Sequence, residues 1–244
     1  MREFPRIGGT YYEPFAGACA VFFAFGYVPA KLSDTNAELI NTLRVIRDAP
    51  EMLLSSLSGL DVSRETHARL RSTIPADSIQ RAARFIYLVN TSWNGLYRVN
   101  KQGQFNVPFG CKPGTSMPSP KRIGSASALL RGVDIACEDF EAAVEGAKPG
   151  DLVYFDPPYT AKHGPNGFRR YNQRIFSWSD QIRLASCAES LRHQGVFTVV
   201  SSPYSQDVRN LYPSFRAVEY GRASCISGTS KGRTDLREYV LFGW

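Results

Sequence analysis

The sequence predicts an α/β fold built on a doubly wound sheet, and three observations predict it. Residues 10 to 25 read as strand, tight turn and helix, and the chain up to Asp48 repeats that pattern. Further on, Asp151 to Asp156 is an apolar run of the kind buried inside a parallel sheet.

The first strand is expected in Thr10-Tyr11-Tyr12-Glu13-Pro14-Phe15, broken at Ala16-Gly17-Ala18-Cys19 and followed by the apolar helix Ala20 to Phe25 ahead of Gly26. A second strand ends at Leu32-Ser33-Asp34. From Asn36 to Asp48, Leu39, Ile40, Leu43, Val45 and Ile46 recur as on an amphipathic helix. Residues 50 to 90 read as helical with breaks near Gly59 and Pro75. From Thr91 to about Pro120, Asn, Gly, Pro, Ser and aromatics predict an irregular, hairpin-containing insertion. Strand character returns at Val133 to Cys137 and at Asp151 to Asp156, where Pro157-Pro158 must end the strand. Ser177 with Asp180 starts a helix over 178 to 193, and strands follow at Val196 to Val200, Phe215 to Tyr220 and Glu238 to Phe242. No internal repeat or low-complexity tract interrupts this order.

With 43% hydrophobic and 21% charged residues in 244, the composition is that of a globular protein, with no apolar run long enough to cross a bilayer. Met1-Arg2-Glu3-Phe4-Pro5 has no signal-peptide core, so a cytoplasmic location is expected. The five cysteines are scattered and the three histidines are not spaced as a metal pair, which predicts free thiols and no metal site.

Charge is unevenly placed. Between Asp77 and Asp134 there is no acidic residue, while Arg81, Arg84, Arg98, Lys101, Lys112, Lys121, Arg122 and Arg131 more than account for the formal net charge of +7. Trp93, Tyr97, Phe105 and Phe109 are interleaved with them. Such a segment suits a polyanion with stackable bases, and composition alone allows a solvated basic face equally well.

The strand-turn-helix at Gly17 brings backbone amides near a ligand, although many such turns carry glycine for packing alone. Asp34, at the end of the next strand and 17 residues later, stands where an acid grips ribose hydroxyls in dinucleotide-type folds, or it caps the following helix. Asp156-Pro157-Pro158-Tyr159 is the most specific local signal. The Asp156 carboxylate and the Pro157 carbonyl can hold both hydrogens of a weakly nucleophilic exocyclic amine, and Tyr159 offers a face for an extruded base.

Glu13-Pro14-Phe15-Ala16-Gly17, Asn94-Gly95-Leu96-Tyr97-Arg98 with Phe105-Asn106-Val107-Pro108-Phe109-Gly110, and Asp156-Pro157-Pro158-Tyr159 occur in this order, and together they closely resemble the Dam-type, α-ordered class of DNA adenine-N6 methyltransferases. The resemblance runs from Tyr11 to Trp244. It implies a Rossmann-like methyltransferase core in residues 1–50 and 131–244, a DNA target-recognition insertion in residues 51–130, S-adenosylmethionine as methyl donor, and double-stranded DNA, at GATC or a related site, as substrate. It also implies cofactor contacts from Phe15, Ala16, Gly17 and Asp34, and from the acid-aromatic pair Asp139 and Phe140. DNA contacts are implied for Asn94, Leu96, Arg98 and Pro108. Trp93 matches either a wedge into the base stack or a buried anchor for the hairpin, and Lys101 and Lys112 are expected to meet backbone phosphate. A cognate restriction endonuclease would be a partner, and DNA binding would place the chain at the nucleoid. Two readings compete with this one, an RNA adenine methyltransferase and a catalytically weakened DNA-binding homologue.

Two positions depart from the family pattern. Cys19 stands where a second glycine of the cofactor loop is usual. A Lys-Trp-Ala-Gly-Gly-Lys-like motif well ahead of the Glu-Pro-Phe strand has no counterpart at that spacing, and Ile7-Gly8-Gly9 is the similar run.

Overall fold

The computed structural model describes residues 4–100, 102–111, 114–159, 176–223 and 235–244. They fall into two compact units, Met1–Thr35 with Gly132–Trp244, and Asn36–Arg131.

The first unit is built on a sheet of seven described strands: β1 (Tyr11–Glu13), β2 (Ala30–Asp34), β3 (Asp134–Cys137), β4 (Leu152–Phe155), β5 (Phe197–Pro203), β6 (Arg216–Ala223) and β7 (Asp235–Gly243), in the order β3-β2-β1-β4-β5-β7-β6. Strands β3, β2, β1, β4 and β5 run parallel, and β7 is antiparallel to both β5 and β6. The chain moves outward in one direction from β1 and in the other from β4, so their carboxyl ends flank a topological switch point, where open α/β sheets form their crevices.

Helix α1 (Ala20–Phe25) starts after Cys19 and ends at Gly26, which takes the left-handed conformation (φ 65°) and donates its amide to the Phe22 carbonyl. Short α7 (Phe140–Ala143) follows β3, long α8 (Trp178–His193) precedes β5, and α9 (Gln206–Arg209) precedes β6. Helix α8 opens on the capping box that Ser177 and Asp180 form. Val153, Phe155, Leu184, Leu191, Val200 and Leu241 pack in one buried cluster. Each such side chain contributes about 1.5–3 kcal/mol on leaving water, which holds β4 at the centre of the unit.

The second unit holds α2 (Ala37–Asp48), α3 (Pro50–Ser58), α4 (Arg64–Ser72), α5 (Ser78–Thr91) and α6 (Pro120–Leu130). Asn36, Ser63, Asp77 and Ser119 cap four of them by accepting backbone amides, which explains where these helices begin. Helix α2 thus falls in this unit. Val45, Leu53, Leu57, Ala82, Ala83 and Ile123 form its core, and Tyr87, Leu88, Phe105 and Val107 pack a second cluster beneath the segment after α5. No helix of the described residues is long and apolar enough to cross a membrane.

Candidate active site

Glu13, at the end of β1, is buried, and its Oε2 accepts the Tyr11 hydroxyl at 2.8 Å and the Phe22 amide at 3.1 Å. One carboxylate thereby fixes the first turn of α1 to its own strand. Burial pushes the Glu13 carboxyl up to about 7; the two hydrogen bonds oppose that rise and the nearby Asp156 charge adds to it. Between strand and helix the backbone turns sharply, with Gly17 at φ 47° and Cys19 at φ 52°. The second value accounts for the glycine usual at that place, since left-handed backbone strains any residue with a Cβ.

This turn is fastened to the end of β2. The Ala16 amide donates to the Ser33 carbonyl at 2.8 Å, and the Gly17 amide donates to Asp34 Oδ2 at 3.1 Å. Asp34 is therefore not the cap of α2; Asn36 is, accepting the Glu38 and Leu39 amides. Asp139 caps α7 by accepting the Glu141 amide on Oδ1 at 3.1 Å. The next residue, Phe140, is buried and stacks on Phe15 with ring centres 5.4 Å apart and planes at 27°. Phe176 closes on Phe15 edge-on at 5.5 Å.

Pro14, Phe15, Gly17, Asp34, Thr35, Asp139, Phe140, Asp156, Pro158, Phe176 and Asp180 line one cavity of about 280 Å³ at the carboxyl ends of the parallel strands. The cavity thus joins most of the predicted cofactor residues to the Asp156-Pro157-Pro158-Tyr159 turn. Ala16 and Pro157 are buried next to lining residues in the chain and do not themselves line the cavity. Tyr159 is half-buried and its hydroxyl shares a hydrogen bond with Ser201 Oγ at 3.0 Å, within reach because β4 and β5 run in parallel register up to Phe155 and Val200. Thr35, Phe176 and Asp180 are lining residues that the sequence reading missed. The Ser177 and Asp180 capping signal was legible, and only the position of that helix start beside the crevice was not.

The cavity's donors and acceptors fit S-adenosylmethionine. Four carboxylates suit a cationic sulfonium, the phenylalanine rings suit an adenine, and among the described residues beyond its chain neighbours Gly17 has only the Phe15 carbonyl within 4 Å of where a Cβ would stand. Ile7-Gly8-Gly9 lies elsewhere. A Cβ on Gly9 would meet Asp151 Oδ1 at 2.1 Å, and the Thr10 amide donates to that same oxygen at 2.7 Å, so this run packs against the amino end of β4, away from the cavity. Among the described residues, no group of three or more His, Cys, Asp or Glu is arranged to hold a metal ion.

Trp93, Asn94, Leu96, Arg98 and Pro108, the predicted DNA-contacting residues that the structure describes, are in the second unit. Thr91 and Gly110 pair through the Gly110 amide, and the Trp93 amide donates to the Pro108 carbonyl, so the segment folds back on itself. Asn94 (φ 54°) and Gly95 (φ 65°) make its left-handed corner. Trp93 is 53% exposed, which removes the buried-anchor alternative for its side chain. Leu96 is half-buried, and Asn94, Arg98 and Pro108 are exposed. Arg98 lies along the hairpin, donating from Nε to Asn106 Oδ1 at 2.7 Å. Buried His67 shares a hydrogen bond with Thr91 Oγ1 at 2.8 Å through Nδ1 and with the Val107 carbonyl at 3.1 Å through Nε2, anchoring both limbs. Lys101 and Lys112 lie outside the described residues.

Comparison with known proteins identifies the family. The chain is 36% identical over 241 residues to the type II methyltransferase M1.LlaDCHI of Lactococcus lactis subsp. cremoris, spanning 94% of this chain and 85% of the relative. It is 33% identical to the type II methyltransferase M.MjaIII of Methanocaldococcus jannaschii, over 84% of this chain and 78% of the relative. Identity to the retron Ec67 DNA adenine methylase of Escherichia coli is 30%, over 92% and 80% of the two chains. The family model of D12 class N6 adenine-specific DNA methyltransferases matches residues 1–224, and the chain belongs to that family.

Proposed function

We propose that this DNA adenine-N6 methyltransferase takes its methyl group from S-adenosylmethionine and delivers it to an adenine flipped out of duplex DNA, in GATC or a closely related site. The observation that carries the reading is that the Asp156 turn and the residues around Gly17, Asp34, Asp139 and Phe140 line one cavity.

When bound, the cofactor supplies an electrophilic methyl carbon on a positively charged sulfur. The chain's residues do the rest. Asp34 accepts hydrogen bonds from ribose hydroxyls, Asp139 accepts from the adenine amino group, Phe140 contacts that ring, and Phe15, Ala16 and Gly17 lie along the methionine part. Asp156 and the Pro157 carbonyl accept the two hydrogens of the substrate amine, which turns its nitrogen lone pair out of conjugation and toward the methyl donor. The proline pair restricts the backbone that presents these acceptors. Tyr159, its hydroxyl held by Ser201, offers its ring to the flipped base.

The unit Asn36–Arg131 acts in target recognition, supported by the concentration of positive charge there and by the exposed Trp93, Asn94, Arg98 and Pro108. Lys101 and Lys112 serve as phosphate contacts. The type II names of two relatives support a cognate restriction endonuclease in the same host, with the enzyme acting on nucleoid DNA in the cytoplasm.

Labelled S-adenosylmethionine incubated with plasmid DNA and with RNA tests the proposal. Label recovered as N6-methyladenine, with plasmid protected from an endonuclease blocked by adenine methylation within GATC, is the expected result. Label in RNA alone, or protection confined to unrelated sites, would overturn the corresponding part.

A further inference from the structure

We infer that Arg183 is a positioning residue for the adenine end of the cavity, holding Asp139 and Phe140 in place from behind. The inference rests on reading that cavity as the S-adenosylmethionine site.

Arg183 is not among the lining residues, yet it touches three that are. Its guanidinium lies 4.8 Å from the centre of the Phe140 ring. Nη2 donates to Asp139 Oδ1 at 2.9 Å and to Glu141 Oε2 at 2.5 Å, and Nη1 donates to Asp180 Oδ1 at 3.0 Å. Asp180 is itself oriented on its other oxygen, where Oδ2 accepts the Ser177 amide at 2.8 Å and the Ser177 hydroxyl at 2.6 Å. One planar side chain therefore fastens the start of α8 to the start of α7.

Two physical consequences follow. Among the described residues, both contacts of Asp139 fall on Oδ1, from the Glu141 amide and from Arg183, so its orientation is set while Oδ2 remains for a ligand's amino group. Four carboxylates around one cavity also repel each other, and a cation behind Asp139 and Asp180 offsets that repulsion without entering the space a cationic ligand takes. A lysine cannot reproduce this, because an ammonium is a point charge that neither stacks on the ring nor forks between three carboxylates.

The arginine side chain is 42% exposed, and ion pairs of that kind contribute little to folding stability. Its removal is therefore expected to show in ligand affinity before it shows in the fold.

The test compares the intact chain with Arg183→Met and Arg183→Lys in three measurements: calorimetric titration with S-adenosylhomocysteine, kcat and KM for S-adenosylmethionine on duplex DNA, and the thermal unfolding midpoint. Arg183→Met should bind about tenfold more weakly, the scale of one misplaced charged hydrogen-bond partner, with KM raised in step. Its kcat at saturating cofactor should stay within about twofold and its midpoint should hardly move, with Arg183→Lys falling between. Affinity equal to the unmutated chain in either variant, or a fall in kcat with KM unchanged, overturns the inference. An unmutated chain that binds no S-adenosylhomocysteine overturns the reading of the cavity instead, so the two failures are distinguishable.

Discussion

The Gly17 amide donates a hydrogen bond to Asp34 Oδ2 at 3.1 Å, tying the turn after β1 to the end of β2 across 17 residues of sequence. Asp34 therefore both shapes the turn and, on the proposed reading, grips the cofactor's ribose. Asp34→Ala should weaken S-adenosylhomocysteine binding by about 1.5–3 kcal/mol, since a charged acceptor is lost. Asp34→Asn, which keeps an acceptor for the Gly17 amide, should lose less. Calorimetry on both variants checks this, and unaltered affinity in Asp34→Ala would confine the residue to shaping the turn.

Glu13 predicts a pH dependence of stability. Its carboxyl titrates near 7 when folded, above the ordinary carboxylate range, because burial disfavours the charged form. Between the two values the folded state holds a proton that the unfolded state has released, so this group's contribution is full below about pH 4.5 and is lost as pH rises through 7. The loss is on the order of 3 kcal/mol. Glu13→Gln keeps an acceptor for the Phe22 amide and has no charge to bury. Urea unfolding at pH 5 and pH 8 should show the unmutated chain losing stability relative to Glu13→Gln, whereas parallel profiles would contradict the assignment.

His67 gives the opposite slope in the second unit. Burial holds its imidazole below the ordinary histidine range, opposed by the hydrogen bond with the Val107 carbonyl. The neutral ring's contribution is full above pH 6.5 and is lost as pH falls below it. His67→Gln should cost about 1–3 kcal/mol at pH 7 through broken hydrogen bonds and should lessen the acid sensitivity of the hairpin, read by amide exchange near Thr91 and Val107.

Arg98 and the two lysines separate reading of sequence from phosphate binding. An arginine presented from a hairpin can make two hydrogen bonds to guanine, so Arg98→Ala should cost roughly 1–3 kcal/mol on the preferred duplex and relax discrimination at one base pair. In the DNA-free chain its Nε donates to Asn106 Oδ1 at 2.7 Å. Lys101→Ala or Lys112→Ala should weaken all sequences alike and lower the salt slope by about one per contact. Methylation rates on single-base variants at two salt concentrations decide it. A uniform loss in Arg98→Ala would make Arg98 another positioning charge.

Much of this architecture was legible in the sequence. The strands around Tyr11, Leu32, Ile135, Val153, Val199, Val218 and Val240 all form, because apolar runs bounded by glycine and proline have few alternatives. Three helices escaped the reading. In α6 the Ser119-Pro120 start was visible as a cap followed by proline, but its face is only weakly apolar; α7 and α9 have four residues each, too few to show a period. Within the cavity, residues on motif-bearing turns were found, while Thr35, Phe176 and Asp180 were not, since only the fold brings the start of α8 to the ends of β1 and β2. The role of Cys19 became clear only with its left-handed backbone.

On the proposed reading, Asp156 acts on the amine in the reacting complex rather than in assembling it. Single-turnover methyl transfer by Asp156→Ala, measured beside its calorimetric affinity for S-adenosylhomocysteine and its affinity for duplex DNA, tests this most directly. Transfer should fall by at least about a hundredfold, with both affinities close to those of the unmutated chain, because an interaction made mainly in the transition state is removed. Transfer at an undiminished rate, or a loss wholly explained by weaker binding of DNA or cofactor, would contradict it.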